Sequence, residues 1–234
     1  MIHSIKHGFT LIELAVVLVI IALVTGGIMV GQDLVRSADL NSMLSDVDRY
    51  KGAVRTFEMK YKQFPGDMSN ATGLWSSCTD SGGNPCNGNG NYLLDTQHES
   101  KRFWQHLALA ELISSSHEGL DLEDAPDLSI KGGRVYAKGS NPFIGANSLT
   151  LAKTSNGFGY LDSVALSGLL SPAEALKIDR KIDDGEPIEG NLHGTRPSGG
   201  VGNPICYSFA AGPPIDYFYL LSVEEAACRM HFKF

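Results

Sequence analysis

Gly8-Phe9-Thr10-Leu11-Ile12-Glu13 opens an apolar run that continues to Val30, and Glu13 is the one ionisable side chain between Phe9 and Val30. About 22 residues at helical rise span roughly 33 Å, enough to cross the hydrocarbon core of a bilayer. A carboxylate near the start of such a segment is costly in lipid, which marks Glu13 as a functional candidate. The preceding residues, Met1–Gly8, carry Lys6 with His3 and His7. A secretory signal peptide has a shorter apolar core closed by small residues at its cleavage site. No such site closes this run. A plain uncleaved anchor accounts for the run and for Lys6, but not for the placement of Gly8, Phe9 and Glu13.

Beyond Val30 the pattern changes from uniformly apolar to one-sided. Leu40, Met43, Val47, Tyr50, Val54, Phe57, Tyr61 and Phe64 recur at spacings of three and four, while Asp46, Asp48, Arg49, Lys51, Glu58 and Lys60 fall off that stripe. This is one face of an amphipathic helix. Pro65-Gly66 ends it. A coiled coil would use the same stripe. Because a domain follows directly, the stripe is expected to pack on the chain's own globular part. Gly26, Gly27 and Gly31 lie within the helix. Each lowers helix stability by about 1 kcal/mol relative to Ala, and small residues also favour close helix packing in a membrane.

The whole chain has 26 acidic and 19 basic residues, a formal net charge of −7. An acidic chain without a Lys/Arg cluster argues against nucleic acid as its main partner. The remaining ~170 residues suffice for one domain with its own core. Four cysteines, Cys78, Cys86, Cys206 and Cys228, are an even number that fits pairing in an oxidising compartment. Three connectivities are possible, and the sequence-local one joins Cys78 to Cys86 and Cys206 to Cys228. Zinc is the competing use, but no C-x-x-C pair or finger-spaced His is present.

Residues 66–98 read as a loop rich in turn formers, with the run Asn87-Gly88-Asn89-Gly90-Asn91 at its centre. Cation-binding loops need several oxygen ligands, and only Asp80 and Asp95 lie near this run, so a solvated turn is the expectation. Glu99–Ser115 reads as a helix with His106 packed beside its apolar surface. Arg134–Lys138, Ser148–Lys153 and Phe158–Leu166 read as strands. Ser171-Pro172-Ala173-Glu174 is a capping box opening a helix to about Ile182. Ile205–Ala211 and Asp216–Ser222 read as further strands, and the chain ends in Arg229–Phe234.

The short cationic leader, GFTLIE and the uninterrupted apolar run resemble the type IV prepilin signature. In that family a membrane peptidase cuts after the Gly, the new N-terminal residue is methylated, and a glutamate occupies the Glu13 position. The resemblance implies Gly8 as the residue before the cut, Phe9 as the mature N-terminus and Glu13 as an assembly residue. FPGDM, the N-G-N-G turns, FWQHLALAELI and SPAEALKIDRKIDDG are similar to a subgroup of bacterial pilin-like and pseudopilin proteins. The implied fold is α+β. Its parts are a leader (1–8), a transmembrane and filament-core helix (9–30), an amphipathic continuation (31–65) and a globular domain with an antiparallel sheet (66–234). The implied partners are prepilin peptidase, other pilin or pseudopilin subunits, an inner-membrane assembly platform and lipid. The implied location is the bacterial inner membrane, with the C-terminal domain periplasmic, and then a filament.

Some secretion pseudopilins bind calcium in a C-terminal loop, so the resemblance makes Asp179, Asp183 and Asp184, with Glu186, calcium candidates. Calcium takes six to eight oxygens, and Arg180 and Lys181 offer these carboxylates another partner. No nucleophile elbow, zinc-protease motif or phosphate loop is present. A structural subunit rather than an enzyme is therefore expected. The alternative is a membrane-anchored periplasmic protein or enzyme that forms no filament.

Overall fold

The computed structural model describes residues 10–79, 83–119, 124–139, 145–153, 167–195, 205–210 and 216–234. Helix α1, Leu11–Tyr61, is followed by a one-turn helix α2 (Ala71–Leu74), α3 (Gln97–Leu109), β1 (Gly133–Lys138), β2 (Ser148–Lys153) and α4 (Pro172–Ile182). Four short strands complete the chain: β3 (Leu192–Thr195), β4 (Tyr207–Ala210), β5 (Asp216–Tyr219) and β6 (Arg229–Lys233). The chain divides into two compact units, Met1–Ser42 and Met43–Phe234. The fold is thus α+β: a long N-terminal helix and a C-terminal domain built on an antiparallel sheet.

From Leu14 to Val30 the helix is apolar on every side, the Thr25 hydroxyl excepted. Leu11 is 88% exposed, Leu23 71% and Met29 70%. No part of its most apolar 18-residue window is buried, and among the described residues α1 is the one helix long and apolar enough to cross a membrane.

The second unit has a conventional core. Met43, Val47, Tyr50, Val54 and Phe57 of α1 are buried. Tyr50 meets Trp104 of α3 edge-on at 5.0 Å, and Phe57 stacks on His106 at 6.3 Å. This is the amphipathic stripe at work: its three- and four-residue spacing puts these side chains on one face. The helix stops at Tyr61, three residues before the stripe's last member, because Lys62 turns to a left-handed φ of 57°.

Phe64-Pro65-Gly66-Asp67 then forms a turn closed by the Asp67 amide on the Phe64 carbonyl at 3.2 Å. Proline presets the second position and the third requires positive φ, which Gly66 supplies at 86°. Space matters too, since a Cβ on Gly66 would lie 2.4 Å from the Glu99 carbonyl oxygen. The Gly66 amide donates to Nδ1 of buried His106 at 2.8 Å. His106 Nε2 lies 3.0 Å from the Cys86 carbonyl, to which it must donate because a carbonyl only accepts. One neutral imidazole therefore ties the turn after α1 to the loop closed by the Cys78–Cys86 disulfide.

Residues 83–96 form a loop held by carboxylates. Buried Asp67 accepts from the amides of Asn89, Gly90 and Tyr92. Asp95 accepts from the side chains of Asn89 and Asn91. The Asn/Gly run is thus folded around Asp67 rather than solvated on all sides. Asp80 lies outside the described residues.

Helix α3 starts two residues earlier than its apolar pattern suggests, because Thr96 and Glu99 make a reciprocal capping box. It ends at Leu109 rather than Ser115. Glu111 adopts a left-handed φ of 58°, and the Leu112 amide bonds back to the Leu107 carbonyl at 3.0 Å. That is a Schellman-type stop without the usual glycine.

The sheet runs β1-β2-β6-β3, antiparallel throughout. One face carries Val135, Leu149, Leu151, Leu192, Met230 and Phe232, all buried. The opposite face is buried and polar: His231 sits between Thr150 Oγ1 at 2.9 Å and Thr195 Oγ1 at 2.7 Å. Helix α4 begins and ends at Pro172 and Ile182, with the Ser171–Glu174 capping box in place. β4 and β5 form a separate hairpin, joined to the start of β6 by the Cys206–Cys228 disulfide. The strand read at Phe158–Leu166 lies outside the described residues. Strand β3 was not legible, being four residues long with Gly194 inside it.

Burial, more than any other cause, lowers the His106 pKa to about 4, with the Cys86 carbonyl pulling the other way. Folding therefore favours the neutral ring, and this contribution to stability is lost as pH falls from about 6.5 towards 4. Glutamine offers the same acceptor and donor without titrating. Between pH 6.5 and 4 the wild type should lose on the order of 3 kcal/mol more stability than His106→Gln in denaturant unfolding of the full chain in detergent. Parallel pH curves would refute this. Glu111→Gly should raise stability by about 0.5–1 kcal/mol in the same assay, because glycine accepts the left-handed conformation without a Cβ clash.

Candidate functional site

The N-terminal site begins at the edge of the described chain. Gly8 and Phe9 lie outside the described residues. Thr10 precedes α1, and its amide and its hydroxyl both donate to Glu13 Oε2 at 2.8 Å. The Glu13 amide in turn donates to Thr10 Oγ1 at 3.3 Å. This is a reciprocal capping box: the first turn of a helix leaves amides unsatisfied, and Thr10 and Glu13 each take one. The signal for this cap, Thr-x-x-Glu, stands in the sequence at Thr10–Glu13, directly ahead of the apolar run. The carboxylate therefore has a local partner within its own chain. It is bonded to one end of the helix rather than left unmatched among apolar side chains.

From Leu11 to Val30 the remaining side chains offer methyl and methylene groups, the Thr25 hydroxyl excepted. Thr25 bonds back to the carbonyl of Ile21 at 2.9 Å, so its hydroxyl is satisfied inside the helix. Added Cβ atoms at Gly26, Gly27 and Gly31 would meet nothing within 4 Å. These glycines leave a shallow notch along the helix rather than filling a contact within the chain.

The second candidate is the carboxylate group at the end of α4. Asp179, Asp183 and Asp184 each offer an oxygen within 4.8 Å of the others. Asp179 is buried; its Oδ2 accepts from the Tyr219 hydroxyl at 2.7 Å and its Oδ1 from the Gly185 amide at 3.2 Å. Asp183 Oδ2 accepts from the Leu192 amide at 2.7 Å and from the Asn191 amide. Asp184 Oδ1 accepts from the Glu186 amide at 2.8 Å. A Cβ on Gly190 would lie 2.1 Å from Asp183 Oδ2, so glycine lets the loop close over that carboxylate.

Burial is the main cause that raises the Asp179 pKa to about 6, and the Tyr219 and Gly185 hydrogen bonds oppose it. Much of this donor set is already engaged within the protein. Four of the six carboxylate oxygens already accept N–H or O–H groups from the protein. Calcium needs six to eight oxygens. These residues fit the closing of α4 onto β3 and β5, with Tyr219 as the far anchor. The Glu186 backbone amide is part of this arrangement.

Residues 4–29 match the family model described as the prokaryotic N-terminal methylation motif. No curated protein and no solved structure matches the chain. The match begins within Met1–Gly8, runs through nearly all of the exposed apolar part of α1, and includes Gly8, Phe9 and Glu13. The N-terminal segment of this chain is the prepilin-type signature of type IV pilins and pseudopilins.

Proposed function

We propose that the chain is a structural subunit of a type IV pilus-like or type II secretion pseudopilus filament. Prepilin peptidase cuts after Gly8, Phe9 becomes the methylated N-terminus, and the subunit waits in the inner membrane with residues 66–234 in the periplasm. An assembly platform then moves it into the filament, where Phe9–Val30 packs against the same segment of other subunits. The observation that carries this reading is the side-chain exposure of Leu11–Val30 under a methylation motif. Such a surface is stable first in lipid and then in a bundle of like helices, where small residues such as Gly27 and Gly31 permit close approach.

Glu13 has two roles in this scheme. In the single chain it caps α1 through Thr10. Cleavage creates an α-amino group on Phe9, one residue before Thr10. Between neighbouring subunits that amine meets Glu13, and the pair offsets the cost of placing either charge in an apolar filament core.

The two roles separate by substitution. Glutamine at Glu13 keeps the capping geometry and removes the charge. Glu13→Gln and Glu13→Leu are both expected to insert in the membrane normally and to be depleted at least about tenfold from sheared filaments, since a lost charge pair of this kind is worth more than 1.4 kcal/mol. Quantifying assembled against membrane-held subunit, in cells without the wild-type protein, measures this. Normal assembly of Glu13→Gln would show that capping alone is what Glu13 supplies.

A further inference from the structure

The loop after α3 holds a nucleophile, a base and an orienting group in sequence. Ser115 Oγ lies 2.7 Å from His117 Nε2. His117 Nδ1 contacts the Asp124 carbonyl oxygen. A carbonyl oxygen only accepts, so Nδ1 carries the ring proton and Nε2 presents its lone pair. The Ser115 hydroxyl must then donate to Nε2. That is the tautomer and direction needed for a base to take the serine proton. The main-chain carbonyl stands where a carboxylate orients the imidazole in a hydrolase triad.

The surroundings favour a neutral base and an apolar guest. His117 is half-buried, with its ring 6.2 Å from that of Trp104. Burial lowers its pKa, against the Asp124 carbonyl and carboxylate. The imidazole is therefore unprotonated at neutral pH and able to accept a proton. Ser115 is exposed at the mouth of a hollow of about 550 Å³. Ala108, Leu109, Leu112 and Ile113 line it together with Glu111 and the polar run Ser114–His117. The left-handed Glu111 makes this geometry, because it ends α3 and folds Leu112–His117 back beside it.

We propose that Ser115 and His117 form a nucleophile–base pair that takes up a short apolar acyl group from an activated ester. The Ser115 oxygen bonds to the ester carbonyl carbon, and the bond from that carbon to the leaving alkoxide or phenolate breaks. The serine proton moves to His117 Nε2 and from there to the leaving group. No electron transfer occurs, and the product is an acyl-serine on this chain. A carbonyl orients the base but does not stabilise the imidazolium as a carboxylate would. The reaction is accordingly a single acyl transfer rather than rapid turnover. It does not depend on the filament reading, since Ser115 lies outside the N-terminal helix.

Full-length protein in detergent micelles, treated with p-nitrophenyl butyrate and mapped by peptide mass spectrometry, tests this. Ser115 should acylate about 10²-fold faster than the adjacent Ser114 and Ser116, the scale of a positioned general base. The rate should fall only below the ordinary histidine range of pH. His117→Gln should lower it by about the same factor. Added imidazole should restore acylation in His117→Gly, which a purely structural role would not allow. Equal acylation of the three serines, no acylation, a rate indifferent to His117→Gln, or failure of imidazole rescue would each overturn the proposal.

Discussion

Among the described residues of their unit, the apolar side chains of Leu11–Val30 are all exposed, and what covers them is the constraint on which the proposed function depends. At roughly 25 cal/mol per Å² of apolar surface, so many exposed Leu, Ile and Val residues could not stay in water. The environment that covers them must come from outside that unit. In the function proposed above, a bilayer would supply it for a single subunit and other helices of the same kind in the filament. In the proposed scheme the N-terminus suits both settings: a helix whose backbone bonds are internal, a Thr10–Glu13 cap over its first amides, and one carboxylate that a new amine would meet.

The unit Met43–Phe234 obeys the opposite rule and buries what it can. Its stitching point is His106, which accepts from the Gly66 amide and lies against the Cys86 carbonyl. The Pro-Gly turn after α1, the Cys78–Cys86 loop and α3 are held through that one ring. Asp67, one residue on, folds the Asn/Gly loop around its carboxylate. At the far side, the Tyr219–Asp179 bond and the Cys206–Cys228 disulfide hold the β4–β5 hairpin against α4 and β6. Polar groups rather than apolar volume fix the positions of the loops.

Much of this was legible because the signals were local. The apolar run and its change to a three- and four-residue stripe determine α1. Ser171-Pro172-Ala173-Glu174 marks the start of α4 to the residue. Strands β1, β2, β5 and β6 begin within a residue or two of the runs rich in β-branched and aromatic residues. What was not legible depends on contacts distant in sequence or on single dihedrals. The early ends of α1 and α3 rest on the left-handed Lys62 and Glu111, residue types that give no warning of it. β3 exists because β6 offers it a free edge. The carboxylates of Asp179, Asp183 and Asp184 lie together as their spacing suggests. Their oxygens are claimed by Tyr219 and by backbone amides that no spacing in α4 could reveal. The Ser115–His117 pair was hidden because Asp124, which sets the tautomer, shares no motif with it.

The state of the N-terminus is the most direct measurement of the central claim, that the apolar helix is delivered to a filament by prepilin processing. Protein extracted from membranes and from sheared cell-surface or periplasmic assemblies would be analysed by N-terminal peptide mass. The account predicts N-methyl-Phe9 as the first residue in both fractions. Assembled protein that still begins at Met1, or that begins at any residue other than Phe9, would contradict it.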